Sequence, residues 1–354
     1  MSKYWSPLTA SLVPYVPGEQ PKDKKYIKLN TNENPYPPSP KVLEAIQGAV
    51  NEDLRLYPDP TCDELVKTVA EYFQLDSREV FVGNGSDEVL AFAFAAFFDP
   101  AAPILFADIT YSFYKVYAEF YGLQADLVPL DEQFNLPLEQ FCNRNNGGIV
   151  IPNPNAPTAI MIPVDDFRIV LESNPNQVVI IDEAYIDFGG ETAAKLVKEY
   201  PNVLVIQTLS KSRSLAGLRV GWALGSEELI DGLNRVKNSF NSYTLDRLAL
   251  AGAVAAIKDE VYFQATTAKV NATREAVTSE LITLGFHVTD SKANFVFISH
   301  PEKSAEMIFK QLREMGILVR YFKQPRIDQY LRVSIGTDEE MTAFLQAVKE
   351  IVAN

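Results

Sequence analysis

Seven short apolar runs punctuate the chain between residues 79 and 225: EVFVG, PILFAD, ADLVPL, GIVIPNP, VVIIDEA, VLVIQTLS and RVGWALG. Helical patterns alternate with them. Continuous Val, Ile and Leu runs separated by helices predict a mainly parallel sheet covered on both faces. Past residue 226 the pattern lengthens into VYFQATTAKVNATREAVTSELITLG, a long helix for which Gly285 is the stop. NFVFIS, a helix ending at Gly316, ILVRYF, LRVSIG and a last helix follow. That helix opens on TDEE, with Thr337 and Glu340 spaced as a capping box. The expected fold is α/β. A large domain over residues 46–254 carries a mainly parallel seven-stranded sheet, and residues 255–354 form a smaller α+β domain. Residues 1–45 are rich in Pro and polar groups, yet carry too many Tyr and Ile for a disordered tail. They are expected to form an ordered arm that contributes to the small domain.

Composition narrows the class. The 354 residues carry a net charge of −14, with 47% hydrophobic and 22% charged residues. This is an ordinary globular balance, and it argues against nucleic-acid or anionic-lipid partners, which need a basic face. Cys62 and Cys142 stand far apart without a CxxC, so a reducing compartment is expected and structural zinc is not. His287 and His300 are the two histidines, and neither has metal-ligand spacing. No metal site and no His-dependent triad are expected. MSKYWSPLTA has no apolar signal core, and the longest apolar run, Val89 to Phe98, is too short to span a bilayer. A soluble cytoplasmic protein is the expectation.

In a parallel sheet the residues just past each strand gather at the carboxyl edge, where α/β proteins build their sites. Gly83, Asn153, Asp182 and Lys211 hold such positions. In VGNGSDEVLAFAFAAFF a strand ends in glycines, then Ser86 and Asp87 open a helix that is apolar all round and so buried. Glycines allow a tight turn, and free N–H groups at a helix start attract a phosphate, although most Ser-Asp starts are only caps. Asp182 ends a buried strand, where a carboxylate requires a cation or strong donors. Tyr185 lies three residues on. Lys211 follows VLVIQTLS. An amine held in apolar surroundings is a Schiff-base nucleophile, whereas an isolated strand-end lysine more often snorkels to solvent. Ser210 and Arg219 are placed to hold a phosphate beside it. IPNPNAPTAIMIP is a rigid proline-framed loop able to present Asn155 to a ligand.

Each feature alone has an ordinary structural reading. Together, an acid and a nucleophilic lysine at two sheet edges, with two phosphate-type features, describe one cofactor. Pyridoxal 5′-phosphate needs a lysine imine, an acid beside its pyridinium nitrogen and a phosphate cup. At 4 Å and an effective dielectric of 20, an aspartate and a pyridinium attract by about 4 kcal/mol. That is roughly three pKa units in favour of the protonated ring.

The order GxxSDE, Tyr111, PNxPT, DEAY and SKxxxLAGLR resembles the fold type I, class II aminotransferases from about Tyr15 to Ala353. LNTNENPYPPSP and LYPDP resemble the histidinol-phosphate aminotransferase branch. The resemblance implies transamination between L-histidinol phosphate and 2-oxoglutarate, a step of histidine biosynthesis. It implies small-molecule substrates: an amino acid, a 2-oxo acid and a phosphorylated amino alcohol. It makes Lys211 the cofactor-bearing and proton-shuttling lysine, Asp182 the partner of the pyridinium nitrogen and Tyr185 the donor to the ring oxygen. Tyr111 stacks on the ring. Gly85, Ser86, Asp87, Ser210 and Arg219 cradle the phosphate, and Tyr57 reaches the phosphate of a neighbouring subunit in a homodimer. Tyr15, Asn32, Arg320 and Arg332 correspond to substrate contacts. The family usually shows Asn before Pro-Thr and Gly after it, where this chain has Ala156 and Ala159. Asn155, one residue away, is then the candidate contact to the ring oxygen. Rival readings are an aromatic or broad-specificity aminotransferase, a decarboxylase of a phosphorylated amino acid, and a non-catalytic cofactor-sensing regulator. The acidic balance disfavours the last, which would carry a DNA-binding module.

Overall fold

The computed structural model describes residues 3–15 and 18–353. Residues 1, 2, 16, 17 and 354, which fall in the expected arm and small domain, lie outside the described residues. Thirteen strands are present among the described residues: β1 (Ile27–Lys28), β2 (Val80–Gly83), β3 (Ile104–Ala107), β4 (Ala125–Val128), β5 (Gly148–Pro152), β6 (Val179–Asp182), β7 (Val203–Thr208), β8 (Gly221–Gly225), β9 (His287–Val288), β10 (Phe295–Ser299), β11 (Ile317–Leu318), β12 (Arg320–Tyr321) and β13 (Leu331–Ser334).

The seven apolar runs become one seven-stranded sheet of order β2-β8-β7-β6-β5-β3-β4. Its pairs are parallel except around β8, which runs antiparallel to both β2 and β7. The strands alternate sides with period two. Val80, Ile151, Ile181 and Val205 join one core with the helices Asp63–Phe73, Phe167–Ser173 and Arg247–Lys258. Phe81, Val150, Ile180 and Ile206 join the other with the apolar helix Gly85–Phe97. Both faces are covered, which is why these strands read as unbroken apolar runs. Only edge strand β4 is partly exposed.

A four-stranded antiparallel sheet, β12-β13-β10-β9, packs against the helices Glu260–Thr283, Ala305–Glu314 and Asp338–Ala353 around a third core. The helix stops and starts follow their local chemistry. Gly285 and Gly316 adopt φ +86 and +87. Thr337 and Glu340 exchange the two hydrogen bonds of a capping box, at 2.9 and 3.3 Å. ILVRYF divides into two strands: β11 pairs parallel with β1, while β12 pairs with β13. The β1 pairing ties the N-terminal arm to β11 in a separate two-stranded sheet.

Candidate active site

Strand order reverses between β3 and β5, and crevices at such switch points receive ligands. Here, at the carboxyl edge of the large sheet, a cavity of ≈ 520 Å³ is walled by that edge, the arm and the small sheet. Lys211, Asp182, Tyr185, Ser86, Asp87, Ser210, Arg219, Tyr111, Tyr15, Asn32, Arg320 and Arg332 all line it. One space thus gathers most of the residues singled out in the sequence.

Lys211 sits just past β7. Its Nζ donates to the Thr31 carbonyl at 3.3 Å and lies 5.8 Å from the centroid of the Tyr185 ring. The Asn34 side chain donates to the carbonyls of Lys211 and Ser212 at 2.9 and 3.2 Å, tying the lysine turn to the arm.

Asp182 is the last residue of β6 and only 5% exposed. Burial pushes its carboxyl up to about 6, against the pull of hydrogen bonds from Tyr114 and the Ala184 N–H. The Tyr114 hydroxyl donates at 2.6 Å and the Ala184 N–H at 3.2 Å. Burial lifts the Tyr114 phenol far above its ordinary value, so it stays a donor. Tyr114 escaped the sequence reading. Its one signal is its place three residues after Tyr111, in the first turn of the helix Phe113–Phe120.

The phosphate-type features form a cup. Gly85 takes φ +79 at the start of the helix Gly85–Phe97, where a Cβ would fall 2.6 Å from Arg219 Nη2. Gly221, opening β8, closes the cup from below: its Cβ would lie 2.5 Å from the Ser86 nitrogen. Arg219 pairs with Asp87 at 2.9 Å and donates to Ser210 Oγ at 3.4 Å. Asp87 also accepts from the Tyr111 hydroxyl at 3.1 Å. The sequence suggested Asp87 for its backbone alone, but its carboxylate aims both Arg219 and Tyr111.

At the opposite wall Arg320 and Arg332 face each other across β12 and β13. Arg332 Nη2 donates to the Asn30 carbonyl at 3.0 Å, while its buried Nε has no hydrogen-bond partner among the described residues. Burial pushes the Arg332 guanidinium below its ordinary value, and nearby Arg320 adds to this. Asn32 touches Tyr185, its amide nitrogen 3.0 Å from the phenol oxygen. Tyr57 does not line this cavity. It is 78% exposed and stacks on Tyr243 at 4.7 Å. Arg247 donates to the carbonyls of Leu56 and Tyr57 at 3.2 and 2.9 Å.

Asn155 requires a correction. Its amide donates to the Ile109 carbonyl at 3.0 Å and to Thr158 at 2.9 Å, and it lines a separate small pocket with Leu130 and Phe134. Pro154 and Ala156, on either side, line the main cavity instead. The turn that follows the end of β5 at Pro152 seats Asn155 away from the main cavity. Ala156 joins Ala159, Ala293 and Phe295 in an apolar cluster against Tyr185.

The profile of the family described as aminotransferase class I and II matches residues 24–348. A histidinol-phosphate aminotransferase of Clostridium acetobutylicum is 63% identical over 353 residues, covering 100% of both chains. Another, from Clostridium beijerinckii, is 59% identical over 354 residues, covering 100% of this chain and 99% of its own. The crystal structure of a Sinorhizobium meliloti histidinol-phosphate aminotransferase in complex with pyridoxal-5′-phosphate has the same fold. Its TM-score is 0.91 at 23% identity, covering 100% of this chain and 98% of that one. By sequence over nearly its whole length, and by fold, the chain belongs to the class I and II aminotransferase family.

Proposed function

We propose that the chain is a pyridoxal 5′-phosphate-dependent aminotransferase. It moves an amino group between L-histidinol phosphate and 2-oxoglutarate, a step of histidine biosynthesis. The observation that carries this reading is a single cavity with a lysine, a buried acid, a phosphate cup and two guanidinium groups on its walls. Full-length relatives at 63% and 59% identity bear the name histidinol-phosphate aminotransferase, which supports the choice of substrate.

The residues fit the cofactor. Asp182 is buried, and its partners are the Tyr114 hydroxyl and the Ala184 N–H rather than a cationic side chain among the described residues, so a cationic ring nitrogen would supply what its burial lacks. Free N–H groups at the helix start and the Arg219 guanidinium suit a phosphate, and Gly85 and Gly221 keep the cup clear. When bound, the cofactor supplies an electron sink that stabilises the charge left as the substrate loses its α-proton. Lys211 Nζ would hold the cofactor and, once free, take that proton and return it. Asp182 would keep the ring nitrogen protonated. Tyr185 would donate to the ring oxygen, and Tyr111 would cover one face. Ser86, Asp87, Ser210 and Arg219 would hold the phosphate. Arg332, with Arg320 and Tyr15, would take the substrate's anionic group. Histidinol phosphate offers a phosphate where glutamate offers a carboxylate, and a planar guanidinium fork accepts either.

We also propose a cytoplasmic homodimer in which Tyr57 completes the partner's site. Tyr57, Leu54, Leu56, Phe240 and Tyr243 are all exposed, which supports an apolar contact face. No helix among the described residues is long and apolar enough to cross a membrane. The two-domain division at about residue 254, with the arm attached to the small domain, belongs to the same reading.

Borohydride reduction followed by peptide mapping tests the assignment. A pyridoxyl group on Lys211 is expected, and a label on another lysine overturns it. Asp182→Asn is expected to fold yet lose more than about tenfold in transamination rate, since the ring is no longer held protonated. Activity within tenfold of wild type would remove Asp182 from that role.

A further inference from the structure

Asn32 has a hydrogen-bond pattern that a simple substrate contact does not need. It is 1% exposed and sits at φ 56, a left-handed conformation that asparagine tolerates. Ser334 Oγ accepts from the Asn32 N–H at 2.8 Å and donates to Asn32 Oδ1 at 2.9 Å. The Asn294 amide donates to the Asn32 carbonyl at 2.9 Å. The amide of Asn32 is therefore fixed with its oxygen on Ser334 and its nitrogen on the Tyr185 oxygen, 3.0 Å away.

An amide NH₂ only donates, so the Tyr185 oxygen must accept from it. The phenol proton cannot point at Asn32. A phenol O–H prefers the ring plane, which leaves the direction away from Asn32. The ring itself is held edge-on against Phe295, with centroids 5.0 Å apart. The apolar cluster of Ala156, Ala159, Ala293 and Phe295 beside it offers no side-chain acceptor. The cavity wall of Pro154, Ala156, Ala184 and Tyr185 then has one side-chain hydroxyl and no side-chain amide.

We propose that Asn32 is a positioning residue: its locked amide turns the Tyr185 hydroxyl proton into the cavity, so that Tyr185 is a permanent donor to the ring oxygen of the bound cofactor. The inference rests on the reading of Tyr185 as that donor. It reassigns Asn32 from the substrate contacts to the control of one proton. It also accounts for an alanine at position 156, because a donor of fixed direction needs no second polar neighbour. The charged and titratable groups around Tyr185 are Lys211, Arg332, Tyr111 and Tyr114, and none is altered in the variants below.

The test is the pH titration of the absorbance of the lysine-bound cofactor, which needs no turnover. A hydrogen bond to the ring oxygen favours its charged form and holds the titration midpoint down. Tyr185→Phe is expected to raise the midpoint by about one pH unit or more. Asn32→Asp keeps the size but offers an acceptor to the phenol, so the proton turns away from the cavity and the midpoint rises similarly. The new carboxylate also acts as a charge, and a double-mutant cycle separates the two effects. In the Tyr185→Phe background only the charge effect remains, so Asn32→Asp is expected to raise the midpoint by clearly less than it does in wild type. Full additivity of the two substitutions would overturn the proposal. Ser334→Ala leaves Asn32 in place but frees its amide to flip, and is expected to raise the midpoint part of the way. A folded Ser334→Ala protein with the wild-type midpoint would overturn it as well. If Tyr185→Phe alone leaves the midpoint unmoved, the reading of Tyr185 fails and takes the proposal with it.

Discussion

Asp182 shows how one residue links burial, chemistry and stability. Burial raises its carboxyl from the ordinary 3.8 to about 6. A raised acid stabilises the fold fully below the unfolded value, and that contribution is lost as pH climbs through the folded value. Without cofactor, wild-type stability therefore falls between about pH 4 and pH 7 as the buried carboxylate is forced to ionise. An asparagine in its place would mimic the neutral form. Cofactor-free Asp182→Asn is expected to match wild type near pH 4 and to be more stable at pH 8, by on the order of 2 kcal/mol. Thermal melts of both proteins across that range check it, and equal melting temperatures at pH 8 would count against the buried-acid picture. Glu183, pushed up to about 7 by burial, contributes to both proteins alike and cancels in the difference. At this scale the sequence was legible where a polar residue interrupts an apolar run: Lys211, Asp182 and Arg219 announce themselves at strand ends. Tyr114 and Ser334 did not, because their partners come from packing between distant elements. Asn155 misled because a tight turn decides which side chain faces in, and residue type alone does not carry that.

The elements explain why the cup has its shape. Strand β8 runs against its neighbours and so starts at the edge where β6 and β7 end, which brings Arg219 and Gly221 beside Ser86. A side chain at position 221 has no room: besides the Ser86 nitrogen, its Cβ would lie 2.9 Å from the Gln207 carbonyl. Both are backbone atoms that cannot swing aside. Gly221→Ala is expected to cost about 1–3 kcal/mol in stability and to weaken cofactor binding at least tenfold. Denaturant unfolding and a cofactor titration measure the two separately, and unchanged binding would mean that the helix start does not hold the phosphate. The strands themselves were legible because burial on both faces leaves unbroken apolar runs. ILVRYF reads as one strand and forms two, since the partner of β11 is the arm, about 290 residues away in sequence, and local periodicity carries no trace of such pairing.

At the scale of the whole molecule, the face around Tyr57 exposes a group of large apolar side chains. Arg247 grips the carbonyls on either side of the Leu56–Tyr57 bond, and buried Lys237 donates to the Pro60 carbonyl at 2.6 Å. The loop is thus fixed while the Tyr57 ring stands out from the surface, as a residue destined for another subunit would. Hybrids of Tyr57→Ala and Lys211→Ala subunits are expected to regain activity, because one site per hybrid recovers both groups. Sedimentation alongside is expected to show a dimer, and a fully active monomer would sink the assembly. The net charge of −14 was plain in the sequence, whereas this face was not. Exposed apolar side chains scattered over distant segments become a patch only once folded.

The most direct measurement is kcat/KM across a panel of histidinol phosphate, glutamate and phenylalanine, with wild type and Arg332→Ala side by side. Wild type is expected to favour histidinol phosphate over phenylalanine. Arg332→Ala is expected to lose about thirty-fold or more with both anionic substrates, the value of one charged hydrogen-bonding partner. A wild-type preference for phenylalanine would contradict the histidinol-phosphate reading and leave a general aminotransferase in its place.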